Sequence, residues 1–552
     1  NSPSANRRDV LTSAAIAAAT AAATAATTVA TTAEAQPTAP PAAGLGGAPT
    51  SKIFWQVQTT SGVVEGIANG NVKEFKGIPY GASTAGANRY APPKKPVPWK
   101  GVRSAIGYGQ ISPQTPSNLA SDYSMMIGWD RHVGPGGMGE DCLNLNVWTP
   151  SVNDGGRRPV LVSYHGGGWT TGSGNGPMYD GAQLARLNDV VVVTVNHRLA
   201  ANGYVHLGAF HPEFANAGNC GVMDMVASLE WVRDNIEKFG GDPKRVMIFG
   251  QSGGGSKTST MLAVPSAKGL FSRAAVQSGS TLRQATPDQA AQDAEKFLKA
   301  CGLTTKNAAD VRKLSWQQIL EAQGRSGAAF RPVVDGKVLP HHPFDPTAPE
   351  ESRDVPVIIS TTLHDAALRL TNFDLTWDQA NALFTREFGS KGPQILAAYR
   401  QRNPKLSPFL AQAEAFTDRT RGNSMRQAER KAALGGAPAY MYVWDWATPS
   451  FDGKFGAVHG HDVDATFHLY RNAMCGSGRG GGRVMSDRAA ATWAAFAATG
   501  NPNNPMIPNW APYDARTRAT MVFDTDMRVV NDYRGDMVKM IADATGGNRA
   551  NA

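Results

Sequence analysis

Ser252 stands in Gly250-Gln251-Ser252-Gly253-Gly254, directly after the run Arg245 to Phe249 and before a segment through Leu262 that has helical character. A serine on a sharp strand-to-helix turn presents its hydroxyl at the carboxyl edge of a sheet. Glycines must flank it, because side chains there would collide with neighbouring backbone. The following helix turns its positive end toward any negative charge that develops beside the hydroxyl. A phosphate loop is the rival reading of Gly250 to Thr258, and it fails by one position. A P-loop needs lysine directly after the second glycine, whereas Ser256 is there and Lys257 comes one residue later.

A second glycine cluster complements the first. The β-branched run Val160 to Tyr164 leads into His165-Gly166-Gly167-Gly168-Trp169. Successive glycines let backbone N–H groups point into a cavity, where they stabilise the oxyanion formed when a hydroxyl attacks a carbonyl, at roughly 3 to 4 kcal/mol per donor. His165, at the strand end beside this loop, reads as a structural, hydrogen-bonded histidine rather than a base.

The elements that must position these loops are legible from periodicity. Val160 to Tyr164, Val190 to Val195, Arg245 to Phe249 and Val355 to Ile359 have the unbroken apolar character of strands buried on both faces. Val222, Val226, Leu229, Val232, Ile236 and Phe239 recur at spacings of three or four, a helix that stops at Gly240-Gly241. Helix, turn and buried strand in that order predict an α/β fold with a mostly parallel sheet and helices on both faces.

Composition narrows the partners. The 54 basic residues exceed the 45 acidic ones, for a net charge of +9, yet the densest basic groups are pairs such as Lys94-Lys95 and Arg157-Arg158, so no nucleic-acid surface is expected. Four cysteines, Cys142, Cys220, Cys301 and Cys475, allow at most two bridges, and none has metal-binding spacing.

Residues 1–35 differ in composition from the rest. Arg7-Arg8 precede an Ala/Thr-rich run that ends at Ala33-Glu34-Ala35, which reads as a twin-arginine export signal and predicts a periplasmic or secreted protein. Ala and Thr transfer poorly into hydrocarbon, so no stable membrane anchor is expected. Residues 36–52 form a Pro/Ala/Gly-rich lead-in, 53–545 one continuous domain, and 546–552 a polar tail.

With both glycine loops in hand, the chain from about Val57 to Phe523 resembles the type B carboxylesterases, the family of bacterial para-nitrobenzyl esterases, carboxylesterases and cholinesterases. Phe75-Lys76-Gly77-Ile78-Pro79-Tyr80, Glu140-Asp141-Cys142-Leu143-Asn144-Leu145-Asn146-Val147, Trp231-Val232-Arg233-Asp234-Asn235-Ile236 and Thr499-Gly500-Asn501-Pro502-Asn503 carry the resemblance. It implies an α/β-hydrolase with large insertions around an active-site gorge. Position by position, it implies Ser252 as nucleophile and the N–H groups of Gly167, Gly168 and Gly253 as the oxyanion hole. His459, in Gly456-Ala457-Val458-His459, matches the catalytic histidine. Asp365 falls where the family usually has glutamate, and Asp374 or Asp378 are alternatives; His461 and His468 lie close to His459 in sequence.

These types suit acyl transfer. A neutral serine is a poor nucleophile, so an imidazole must take its proton and pass it to the leaving alcohol, while a carboxylate holds the imidazole in the right tautomer. The scheme needs no metal or organic cofactor, and its rate is expected to fall below about pH 6 to 7, where an ordinary imidazole protonates. A small-molecule ester is the expected substrate. Amide, carbamate or thioester cleavage on the same residues, and a non-catalytic adhesion protein, are the alternatives.

Two departures from the family pattern carry further expectations. Gln251 stands where glutamate is common, which removes a charge that would attract choline esters. Ser112 occupies the place of a disulfide cysteine, which leaves Cys142 without its usual partner.

Overall fold

Val191-Val192-Val193-Thr194-Val195 consists wholly of β-branched residues, stiff at χ1 and suited to a pleated surface, and all five are buried in a strand. The same logic builds the rest of the sheet in this computed structural model, which describes residues 53–115, 121–128, 133, 136–478 and 480–546. The expected export signal, the lead-in and the tail beyond Gly546 lie outside the described residues.

The strands are β1 (Phe54–Gln58), β2 (Val63–Asn69), β3 (Val72–Pro79), β4 (Val102–Ser104), β5 (Asn144–Thr149), β6 (Arg158–Tyr164) and β7 (Val191–Val195). They continue as β8 (Gly241–Gln251), β9 (Arg273–Gln277), β10 (Val357–Thr362), β11 (Ala439–Trp444), β12 (Ala519–Phe523) and β13 (Arg528–Asn531). Their order is β1-β2-β3-β5-β7-β6-β8-β9-β10-β11-β12-β13, with β4 beside β2. From β7 to β12 neighbours run parallel, and antiparallel strands close both ends.

Alternate side chains of each central strand enter opposite layers. Val160, Val162 and Tyr164 pack with Val222, Leu229 and Val232 of the helix Cys220–Asn235, while Leu161 joins the layer of Trp493 and Phe496 from the helix Gly482–Thr499. Among the described residues no helix is long and apolar enough to cross a membrane.

Predicted boundaries shift where proline or pairing intervenes. The strand expected at Val355 begins at Val357, because Pro356 has no N–H to give the ladder; Val357 N–H donates to Pro438 O at 3.0 Å. The strand expected at Arg245 starts at Gly241, drawn in by pairing with Arg158 across a bulge. The helix expected to reach Phe239 tightens into a 3₁₀ turn over Ile236–Phe239, then stops at Gly240 in the left-handed conformation, φ +75°.

Parallel register sets the location of chemistry. Tyr164 pairs with Gly250, and Gln251 and Ser360 both pair with Gln277, so the loops after β6, β8, β9 and β10 leave from one carboxyl edge. The close contact between β6 and the helix Gly253–Met261 depends on a missing side chain. A Cβ on Gly254 would lie 2.0 Å from Tyr164 O. Gly254→Ala should therefore destabilise the protein by about 3 kcal/mol or more, while Gly107→Ala, with nothing within 4 Å of its Cβ position, should shift stability by less than about 0.5 kcal/mol. Thermal unfolding of the two variants checks this; equal melting temperatures would contradict the packing described.

Candidate active site

Ser252 occupies the tip of the turn between β8 and the helix Gly253–Met261, with φ +59° and ψ −121°. A side-chain-bearing residue pays about 1 to 3 kcal/mol for such a backbone. The surroundings hold it: Ser252 N–H donates to Gln277 O at 2.8 Å, and Ser256 N–H donates to Ser252 O at 2.9 Å. The serine itself is partly exposed at the sheet edge.

The glycine loop after β6 closes directly onto this turn. A Cβ on Gly253 would lie 2.3 Å from both the N and O of Gly168, so the two backbones meet without side chains between them. Gly167 has φ +91° and Gly168 φ +63°, conformations open to glycine, and a Cβ on Gly167 would strike Thr171 O at 2.4 Å. The N–H groups of Gly167, Gly168 and Gly253 donate to no acceptor among the described residues. Unpaired backbone donors thus lie at the contact between the glycine loop and the Ser252 turn.

Residues beneath the loop fix it. Lys257, the lysine misplaced for a P-loop, is fully buried and donates from Nζ to His165 O at 2.8 Å, and burial drives its pKa well below the usual lysine value. Gly166 N–H donates to Tyr179 Oη at 2.8 Å. His165 is buried, with Nδ1 2.8 Å from Gly166 O and its ring stacked on His197 at 5.1 Å. Burial, reinforced by the nearby Lys257, pushes His197 well below the usual imidazole range, so it stays neutral.

Asp365 and His459 meet through Oδ1 and Nδ1 at 2.7 Å. An isolated parallel bridge pairs His364 with Val458, and the next residue on each chain is one member of the pair. His364 N–H donates to Ala457 O at 2.9 Å and Ala457 N–H to His364 Nδ1 at 3.0 Å. Gly456, φ +59°, leaves room for this, since its Cβ would lie 2.5 Å from His364 Nδ1. Burial raises the Asp365 carboxyl, but His459 outweighs it by charge and hydrogen bonding, and Thr362 Oγ1 adds a hydrogen bond at 3.1 Å, so its pKa falls below the ordinary value. The His459 ring is hydrogen-bonded to Asp365 and not to Ser252, although their chain neighbours converge: a Cβ on Gly460 would lie 3.5 Å from Gln251 Oε1.

The competing residues stand elsewhere. Asp374 and Asp378 are exposed and make no ion pair with His459. His461 is fully buried against Trp446 and Trp444, and burial lowers its pKa to about 3. His468 pairs with Asp487 at 2.6 Å.

Several neighbours gave no signal in the sequence. Tyr123, on the short helix Asp122–Met126, donates its hydroxyl to His459 O at 3.0 Å. His364 Nε2 lies 3.3 Å from Glu414, which is bound in turn by Arg534 at 2.6 Å. These contacts span up to 336 positions of sequence, where neither spacing nor periodicity relates them.

All four cysteines are free, and burial pushes the Cys142 thiol up to about 12. Among the described residues no group of three His, Cys, Asp or Glu could hold a metal ion.

A nucleophile-type turn at the carboxyl edge of a mostly parallel sheet, with a glycine loop folded onto it, defines an α/β-hydrolase. The carboxylesterase family model matches residues 55–541, and the chain belongs to that family. It is a carboxylesterase. It is 32% identical over 492 residues to the para-nitrobenzyl esterase of Bacillus subtilis, covering 86% of this chain and 96% of that protein. The phenmedipham hydrolase of Pseudarthrobacter oxydans is 30% identical, with 84% and 94% covered. Among solved structures, a Geobacillus stearothermophilus carboxylesterase superposes with a TM-score of 0.74 at 32% identity, covering 88% of this chain and 99% of that one. An esterase from Clostridium hathewayi that hydrolyses aliphatic aromatic polyesters gives 0.77 at 28% identity, with 89% and 99% covered.

Asp464, on the short helix His461–Thr466 that follows His459, is buried and its pKa is raised to about 7 by loss of solvent, against a partial counter-effect from Asn472. Because the unfolded carboxyl ionises near the ordinary value, ionisation costs stability progressively as pH rises from about 4 to about 7. Asp464→Asn, which keeps the acceptor for Asn472 and cannot ionise, should gain about 2 kcal/mol relative to wild type between about pH 5 and about pH 7. Urea unfolding across that range reads the difference, and a pH-independent gap would contradict a neutral buried carboxyl.

Proposed function

We propose that this enzyme cleaves carboxylic esters in two steps through an acyl-enzyme on Ser252. The observation that carries the reading is that a glycine loop whose N–H groups at Gly167 and Gly168 have no acceptor among the described residues packs directly onto the strained turn of Ser252 and Gly253. Ser252 Oγ attacks the ester carbonyl carbon as His459 Nε2 takes its proton, and the carbonyl oxygen becomes an oxyanion facing Gly167, Gly168 and Gly253. His459 then gives the proton to the departing alcohol. Water, deprotonated by the same nitrogen, attacks the acyl carbon, the bond from that carbon to Ser252 Oγ breaks, His459 returns the proton to Oγ, and the acid leaves.

Asp365 fixes the role of His459. Its Oδ1 accepts a hydrogen bond from Nδ1–H at 2.7 Å, leaving Nε2 as the proton acceptor, and its depressed pKa keeps it ionised while the imidazolium forms. The hydrogen bond from Ser252 to His459 closes when substrate binds, since such contacts are often long in unliganded enzymes.

A fluorophosphonate probe should label wild type and fail to label Ser252→Ala. Ser252→Ala, His459→Ala and Asp365→Asn should each lose about 10⁴-fold or more in kcat, with similar melting temperatures. An unlabelled wild-type protein would favour an adhesion role, and turnover of amide or carbamate analogues ahead of esters would change the substrate class while keeping the residues.

The export reading rests on Arg7-Arg8 and the small-residue triplet at Ala33-Glu34-Ala35. Intact-mass measurement of protein recovered outside the cytoplasm should show a chain starting at Gln36; full-length protein confined to the cytoplasm would overturn this.

A further inference from the structure

A cavity of about 310 Å³ opens beside the nucleophile turn, and its lining is polar. Trp169, the residue after Gly168, contributes to one wall, and Ser256, one helical turn beyond Ser252, to another. Thr281 Oγ1 donates to Ser256 Oγ at 2.7 Å within this lining. Two arginines, Arg283 and Arg331, line the cavity, and no described residue that lines it carries a carboxylate.

The two arginines differ in their state of pairing. Arg283 is neutralised by Asp345, which also meets Arg430 at 3.0 Å on its other oxygen. Arg331 makes no ion pair and no side-chain hydrogen bond among the described residues, and its Nε is buried without an acceptor. Its backbone is fixed, because the next residues bind the segment after β9: Ala285 N–H donates to Pro332 O at 3.1 Å and Val334 N–H to Ala285 O at 2.9 Å.

A buried guanidinium N–H without an acceptor is costly, and the planar fork of arginine matches a carboxylate with two parallel hydrogen bonds. The geometry points to a carboxylate subsite at Arg331, so that this enzyme prefers esters carrying a free carboxylate to neutral esters of the same size. This deepens the acyl-enzyme reading above and rests on it. The carboxylate belongs either to the acyl part of the ester or to its alcohol part, and both would come within reach of a cavity bounded by Trp169 and Ser256.

Two pairs of substrates separate these sources. Para-nitrophenyl hydrogen adipate is compared with para-nitrophenyl hexanoate for the acyl side, and para-carboxyphenyl butanoate with its methyl ester for the alcohol side. Wild type should show higher kcat/KM for the anionic member of one pair, with the advantage shrinking as salt is added. Arg331→Met should lower kcat/KM for that anionic ester about tenfold more than for its neutral counterpart, and Arg331→Lys should fall between them.

Equal turnover within both pairs, or equal losses on anionic and neutral esters in Arg331→Met, would overturn the subsite. Absence of turnover on all four esters together with no fluorophosphonate label would instead break the acyl-enzyme reading. Calorimetric titration of para-nitrophenyl hydrogen adipate and para-carboxyphenyl butanoate into Ser252→Ala, with and without Arg331→Met, then reads the subsite without chemistry. Binding of either that depends on Arg331 supports it, and equal or absent binding of both refutes it.

Discussion

The approach of two backbones at Gly253 and Gly168 is the constraint on which the site depends. A single added carbon on Gly253 would overlap both the N and O of Gly168, so the glycine loop and the turn at Ser252 can come together only while Gly253 lacks a side chain. That contact puts donors from two separate segments around one point in space. It also explains the effort spent underneath, where Lys257 and Tyr179 hold the loop by its backbone at His165 O and Gly166 N–H. A fully buried lysine is expensive, and here its one hydrogen bond goes to the carbonyl that begins the glycine loop.

Behind the Asp365–His459 pair lies a second, electrostatic layer. His364 accepts the Ala457 N–H at Nδ1, which assigns its remaining proton to Nε2, the atom that faces Glu414. Glu414 and Asp418 share Arg534, and Asp418 also lies 3.2 Å from Arg421. Buried ion pairs of this kind add little net stability, because desolvation offsets their attraction. Their geometry instead ties the long helix Pro408–Leu434 to the loop after β10, and so fixes the residue preceding Asp365.

How far the sequence could be read follows from how local each signal is. Ser252, the three glycine donors and the central strands were legible because a turn type, a close approach or an unbroken apolar run is written in adjacent residues. The strand boundaries were less so: Pro356 delays β10, and Arg158 extends β8, through partners distant in sequence. Asp365 stood among alternatives until folding put it one residue after the His364–Val458 bridge, against His459 Nδ1. Tyr123 and Arg331 carry no motif at all; their relevance comes only from what folding brings next to them.

The aspartate at position 365 then acquires a physical explanation. Its side chain is short, so the backbone must bring the carboxylate close to His459. The His364–Val458 bridge does so, because this parallel pairing holds the two segments about 4.8 Å apart and their successors leave side by side. Gly456 permits the approach, since any side chain would meet the His364 ring. The short carboxylate therefore reaches His459 Nδ1 at 2.7 Å without stretching, and with fewer rotatable bonds than glutamate it loses less conformational freedom when it does.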